Sequence, residues 1–235
     1  MDWSWEAFFR YLHSIDIVRG VWTTVWLTAV SMTLGIAIGL FSALLLKLNH
    51  PLTKALYSLY TTVIRGTPLL VQLVFAYTAL PRLGIRLSVA ESAILALSVN
   101  EGAYVAEIIR AAIESVHRGQ MEAATALGMT YWKAMRVVIL PQAARTATPV
   151  IGNQVNSMLK ATSLVSVISM EELFRTTEEL IQSTFRVLEL FTVASVYYLI
   201  LTALWSFVQR ALERRFEFPS GRSSAQQALV TAADG

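Results

Sequence analysis

From Val21 to Leu46 the chain carries no charged side chain, a run of more than twenty residues. At about 1.5 Å of rise per residue, a helix of that length crosses roughly 30 Å of hydrocarbon. Composition points the same way. Of the 235 residues, 55% are hydrophobic and only 15% charged, a balance that would leave a soluble domain with too much exposed apolar surface. The apolar residues also lie in long blocks, so the solvent they call for is lipid.

Four further blocks follow, and the expected fold class is an all-α integral membrane protein with five transmembrane helices. The second span runs from about Ala55 to Leu80, interrupted by Arg65-Gly66-Thr67-Pro68. Proline removes a backbone bond in mid-span and the glycine beside it loosens the helix, so a break is expected there. An arginine at that depth should face protein, water or a membrane surface. The third span, 89–115, contains Asn100, Glu101, Glu107 and Arg110, as expected of a bundle helix with one polar face. The fourth, about Ala147 to Ile168, carries Asn153, Gln154, Asn156 and Lys160. The last, about Val187 to Phe207, is clean and is closed by Arg210, Arg214 and Arg215. Gly35-x-x-x-Gly39 in the first span could admit a close neighbour, but the motif is too common to carry function.

Three regions are expected: residues 1–20, 21–212 and 213–235. The first reads either as an amphipathic helix in the membrane interface or as a frayed terminus, with Phe8, Phe9, Leu12 and Ile15 opposite Glu6, Arg10 and His13. It is no secretory signal, because Asp2 and Glu6 precede any basic residue. The last reads as a disordered tail, rich in Ser, Ala, Gln and Gly from Pro219. Residues 170–186 read as an acidic amphipathic helix. Basic residues concentrate after odd-numbered spans, which predicts the N-terminus outside, the C-terminus in the cytoplasm and residues 116–145 cytoplasmic.

Several chemistries lack their residues. There is no cysteine, hence no disulfide, thiolate metal site or thiol nucleophile. The three histidines are far apart, and neither His-Glu-x-x-His nor Gly-x-Ser-x-Gly occurs. No Gly-x-x-x-x-Gly-Lys-Ser/Thr is present, so nucleotide hydrolysis would have to come from another subunit. The basic residues form no block of the kind nucleic-acid binders carry. Glu101 and Glu107 lie six residues apart and project from different sides of a helix, which argues against joint acid–base work.

The segment of about 118–141 is the longest polar connection. Glu122 to Leu127 are strong helix formers, Gly128 can adopt positive φ, and Tyr131 to Leu140 form a second amphipathic stretch that Pro141 should stop. Such a helix–glycine–helix elbow is either a docking element for a soluble partner or a plain interfacial loop. Glu122-Ala123-Ala124, Gly128 and Leu140-Pro141 resemble the EAA loop of binding-protein-dependent ABC importer permeases, with Val138 where Ile is usual. Arg65-Gly66-Thr67-Pro68-Leu69-Leu70-Val71-Gln72, residues 103–110, Gly119-Gln120 and residues 160–164 are similar to the polar amino acid branch of that family.

The resemblance implies a type I importer transmembrane subunit in a bacterial inner membrane, half of a translocation pathway, with no enzymatic activity or cofactor of its own. It implies a cytoplasmic ATPase dimer carrying ATP and Mg, a second permease chain, identical or related, and an extracytoplasmic solute-binding protein. The elbow would be the ATPase-coupling element. Asn100, Glu101, Tyr104, Asn153, Asn156 and Lys160 are the candidate pathway residues. Glu101 either meets a substrate ammonium or pairs with Arg65 or Arg110. Lys160 either receives a carboxylate or reaches for the surface. Arg65, Gly66, Thr67, Pro68, Glu107 and Arg110 are gating or structural candidates, the last two spaced for an intrahelical ion pair. A secondary transporter or channel without an ATPase is the rival reading, and it has no use for the elbow.

Overall fold

The computed structural model describes residues 3–48 and 50–216, and every regular element among them is helical. In chain order these are α1 (Trp5–Leu12), α2 (Ile15–Leu46), α3 (Pro51–Gly66), α4 (Leu69–Thr78), α5 (Val89–Ser115), α6 (Arg118–Ala126), α7 (Tyr131–Ala134), α8 (Leu140–Ala161), α9 (Leu173–Thr184) and α10 (Val187–Phe216). Local chemistry sets the starts. Pro51 occupies the first turn of α3, where its missing N–H costs nothing. Ser88 and Glu91 close a reciprocal capping box on α5, with bonds of 2.7 and 3.2 Å.

α2, α5 and α10 are long and apolar enough to cross a membrane. The α3–α4 pair qualifies only jointly and is bent by 102° at its break. α8 is more polar and does not qualify on apolarity alone; the expected fourth span, about 147–168, falls on two segments. Its α-helix ends at Ala161, and Thr162–Ile168 is a 3-10 segment. Outward-facing apolar residues on α2, α3 and α10, such as Phe41, Leu59 and Leu199, match a hydrocarbon surround rather than water.

α2 and α5 make the most extensive helix pair. They approach through glycines: a Cβ at Gly39 would lie 2.6 Å from Val105 Cγ1, one at Gly35 would lie 2.8 Å from Glu101 Cβ, and one at Gly102 would lie 2.6 Å from Ile38 Cγ2. The Gly35-x-x-x-Gly39 spacing therefore sets the central packing of the subunit. Around it Leu27, Met32, Leu73, Leu97, Met158 and Val165 close the main core. At the far end, α9 is tied to α2 and α10 by the fully buried Glu172. Its carboxylate accepts from the Phe174 and Arg175 N–H groups at 2.8 Å and from the Tyr198 hydroxyl at 3.1 Å. Thr24 on α2 accepts from the Leu173 N–H at 3.3 Å.

Three expected boundaries move. The N-terminal helix is eight residues long and ends at Leu12, and residues 15–20 already belong to α2, with Ile17 and Gly20 buried. The Tyr197 hydroxyl donates to the Leu12 carbonyl at 2.6 Å, and Ser4 N–H donates to Glu189 at 2.9 Å, which docks α1 on α10. At the other end α10 continues past residue 213 to Phe216. Of the expected tail, 213–235, the part from residue 217 onward lies outside the described residues.

The third correction concerns Pro141, which stops nothing. Residues 131–161 are helical throughout, with a π-helical turn at Met135–Ile139 leading into α8. A proline ring clashes with the carbonyl four residues back in a regular α-helix. The wider π turn supplies the room, and Pro141 sits in the first turn of α8.

Candidate coupling elbow and polar groove

The 118–141 segment builds a defined elbow. α6 is capped at its start by His117, whose side chain accepts from the Gly119 N–H at 3.1 Å. It ends at Ala126, with Leu127 as its C-cap and Gly128 at φ 77°. Gly128 N–H donates to Thr125 O at 2.9 Å and Met129 N–H to Ala124 O at 3.1 Å, the paired bonds of a Schellman stop. The next helix is capped by Thr130, which accepts from the Lys133 N–H at 3.4 Å.

One face of the elbow is fixed and the other is open. α6 packs on the π-helical turn, with Ala124, Met135 and Ile139 buried, and Gln142 donates across to Gln120 at 3.3 Å. Glu122, Ala123, Leu140 and Pro141 are exposed, as are Leu127 at 78% and Trp132 at 69%. Exposed large apolar side chains beside an exposed carboxylate form a surface suited to a protein partner.

The polar residues of the spans do not gather into one site. Asn100 is buried and donates to Gln72 Oε1 at 3.1 Å, joining α5 to α4. Glu101 is 4% exposed and pairs with neither Arg65 nor Arg110, correcting that expectation. It lies where Gly35 admits it, and the Gln154 amide on α8 donates to both its oxygens, at 3.3 and 3.5 Å. Asn153 is exposed and accepts from Gln209 on α10 at 3.2 Å. Asn156 has a buried Oδ1 that finds no hydrogen-bond partner among the described residues. Lys160 is exposed in the last turn of α8.

The charged groups do assemble, between α3 and α5. Glu107 accepts from the Tyr57 hydroxyl at 2.6 Å and from Arg110 through Nε at 3.3 Å and Nη2 at 3.1 Å. Arg110 also reaches Glu114 at 2.6 Å. Arg65 Nη1 lies 3.3 Å from Glu107 Oε2, and its guanidinium carbon sits 5.4 Å from the Tyr104 ring centroid. Glu107 thus meets the intrahelical partner its spacing called for and an interhelical one that spacing could not show. A groove of about 450 Å³ opens beside these groups.

The break at Gly66–Pro68 is organised by a residue that sequence reasoning quoted but did not single out. Gln72 Nε2 donates to the carbonyls of Ile64 at 2.8 Å and Thr67 at 3.2 Å and to the Thr67 hydroxyl at 2.8 Å. The end of α3 therefore finds the donor its free carbonyls require. A glutamine four residues after a mid-span proline was the available signal. Among the described residues no cluster of His, Asp and Glu could hold a metal ion.

Comparison with known proteins bears on this geometry. Residues 35–218 match the family described as binding-protein-dependent transport system inner membrane component. The glutamine transport system permease protein GlnP of Escherichia coli (strain K12) is 37% identical over 219 residues, covering 92% of this chain and 99% of that protein. The L-cystine transport system permease protein TcyB of Bacillus subtilis (strain 168) is 40% identical, covering 84% and 85%. The arginine transport system permease protein ArgU of Corynebacterium glutamicum (strain ATCC 13032) is 37% identical, covering 99% and 78%. A crystal structure of an amino acid ABC transporter with histidines superimposes with a TM-score of 0.86 at 38% identity, covering 92% of this chain and 100% of that one. The methionine ABC transporter MetNI, inward facing, shares the fold with a TM-score of 0.74 at 22% identity, covering 86% and 97%.

Proposed function

Because the chain belongs to the binding-protein-dependent transport system inner membrane component family, a multi-pass inner-membrane family, we propose that it forms half of the pathway of an ATP-driven importer for polar amino acids. Relatives named for glutamine, arginine and cystine support the solute class. The observation that carries the mechanism is the elbow. It presents Glu122, Ala123 and Leu127 outward, while one unbroken helical path, 131–161, leads from it into the core.

A soluble ATPase dimer gripping α6 would pull on Gly128 and on the Gln120–Gln142 contact. α8 would carry that displacement to Gln154, whose amide holds Glu101 on α5. α5 is locked to α2 through Gly35, Gly39 and Gly102, so the central pair moves as one body. The lever thus ends at the groove edge, where Glu107 and Arg110 stand on the same helix. A chain of this size supplies one half of a two-fold pair, identical or related.

ATP and Mg belong to the ATPase, and this chain supplies no reacting group. The elbow lies in the cytoplasm, together with the C-terminal end of α10. α1 and α9 lie on the opposite face, where a solute-binding protein delivers its cargo. Tyr104, Asn153 and Lys160 are pathway residues that solute can reach from the subunit surface, whereas Asn100 and Glu101 hold helices together.

Reconstitution tests this reading. Proteoliposomes containing the chain, its ATPase and its binding protein are expected to take up a radiolabelled amino acid only with ATP inside. Uptake driven by a proton gradient with the ATPase absent would reject it.

A further inference from the structure

The α3–α5 groove holds a cation that the fold does not fully use. Three side chains make four contacts with Glu107, and three of those contacts are hydrogen bonds, one from Tyr57 and two from Arg110. With those in place the Glu107 carboxylate is satisfied without help. Among the described residues Arg65 adds a single ion-pair contact of 3.3 Å and no side-chain hydrogen bond. Its guanidinium carbon lies over the Tyr104 ring, and its side chain, 41% exposed, lines the groove.

The surroundings fit a small polar ligand. The lining carries Ser58 and Thr62 hydroxyls beside Tyr57, Arg65, Glu107 and Arg110. Within the lining Arg110 is engaged by Glu107 and, just outside it, by Glu114 at 2.6 Å, so Arg65 is the less fully engaged of the two arginines. The groove opens at a helix break, between Gly66 and Pro68, where the direction of the span changes by 102°. Gln72 satisfies the carbonyls of Ile64 and Thr67 at this break, so the polar group it leaves for a ligand is the Arg65 guanidinium. A volume of about 450 Å³ holds an amino acid with its water.

We propose that Arg65 is a carboxylate-binding subsite on the solute's route, taking the α-carboxylate of an amino acid as a two-pronged partner. This rests on the importer reading above. Binding exchanges one long ion-pair contact for a bidentate carboxylate pair. Glu107 is not orphaned by the exchange, because Tyr57 and Arg110 retain it. The solute is therefore held by its common backbone end. Side-chain selection falls to other surfaces, including the binding protein.

The test uses the permease–ATPase complex in lipid nanodiscs without binding protein, so that the permease's own affinity is read. Equilibrium dialysis compares radiolabelled L-glutamine, L-arginine and L-histidine with their α-carboxamides. At least one amino acid is expected to bind saturably, and about tenfold or more tighter than its carboxamide, since a hydrogen bond to a charged group is at stake. Arg65→Gln is expected to lower the acid to the level of the amide, and Arg65→Lys to keep part of the difference. Equal binding of acid and amide by the unaltered complex overturns the subsite, as does absence of any saturable binding. So does an Arg65→Gln complex that keeps the wild-type preference. ATP-dependent uptake in proteoliposomes, measured on the same preparation, separates the two levels. Persisting ATP dependence with no carboxylate preference removes the subsite alone, whereas ATP-independent uptake removes the importer reading.

Discussion

Replacing Gly128 separates the elbow's shape from the membrane fold. Its φ of 77° is left-handed, and a Cβ there meets nothing within 4 Å. Gly128→Ala therefore costs only backbone strain, about 1–2 kcal/mol. Gly128→Pro forces φ to about −65°, a rotation of about 140°. It also removes the N–H that donates to Thr125, and the Met129–Ala124 bond needs the same left-handed residue. Two bonds at about 1 kcal/mol each add to the strain, so the turn cannot persist. The damage stays local, because Gly128 is exposed and packs against no other element. Each 1.4 kcal/mol shifts an equilibrium about tenfold. Gly128→Ala should thus reduce ATP-driven uptake in proteoliposomes by about 5- to 30-fold, and Gly128→Pro should bring it to background. Both should leave the chain monodisperse, with unchanged helical content by circular dichroism. A proline variant that transports at the wild-type rate and still requires ATP would refute the claim that this turn transmits the motion.

Two further substitutions test the packing that carries the motion. Gly39→Val places a branched side chain where Val105 Cγ1 already lies 2.6 Å from the Cβ position. Separation of α2 from α5 should cost about 1–3 kcal/mol, read as a lower melting temperature of the solubilised complex; an unchanged melting temperature would mean that the pair is not close-packed. Gln72→Leu is close in size but leaves the carbonyls of Ile64 and Thr67 and the amide of Asn100 without their partner. A loss of about 1–3 kcal/mol is expected, with uptake falling in step; Gln72→Glu, which keeps an acceptor for Asn100 but has no donor when ionised, should not restore it. Wild-type stability and uptake in Gln72→Leu would show that the break needs no such clasp.

The sequence made some of this legible and concealed the rest for identifiable reasons. α2 and α10 follow from uncharged length, and the break after Arg65 follows from Gly66 and Pro68. α8 was harder. Its polar residues keep its hydropathy low, and Pro141 reads as a stop because nothing local announces the π turn that makes room for it. The partner of Glu101 was hidden by distance along the chain. Gln154, 53 residues away, meets it only after α5 and α8 pack, and an amide is a less obvious expectation than an arginine. The glycine pair on α2 was visible, but its weight depended on Glu101 and Val105 standing opposite. The charge cluster was half legible, because Glu107 and Arg110 share a helix while Arg65 and Tyr57 arrive from another.

The account stands on residues 118–141 facing a nucleotide-hydrolysing partner in the cytosol. The chain has no cysteine, so Leu127→Cys, at a side chain 78% exposed, gives a single reporter on the elbow. In intact cells it should resist membrane-impermeant thiol reagents, and in inverted vesicles it should react. A bifunctional cross-linker should then join it to the ATPase, with a yield that changes when ATP is added. Labelling from the outer face of intact cells would contradict the account, as would a cysteine that reacts in inverted vesicles but never captures an ATPase.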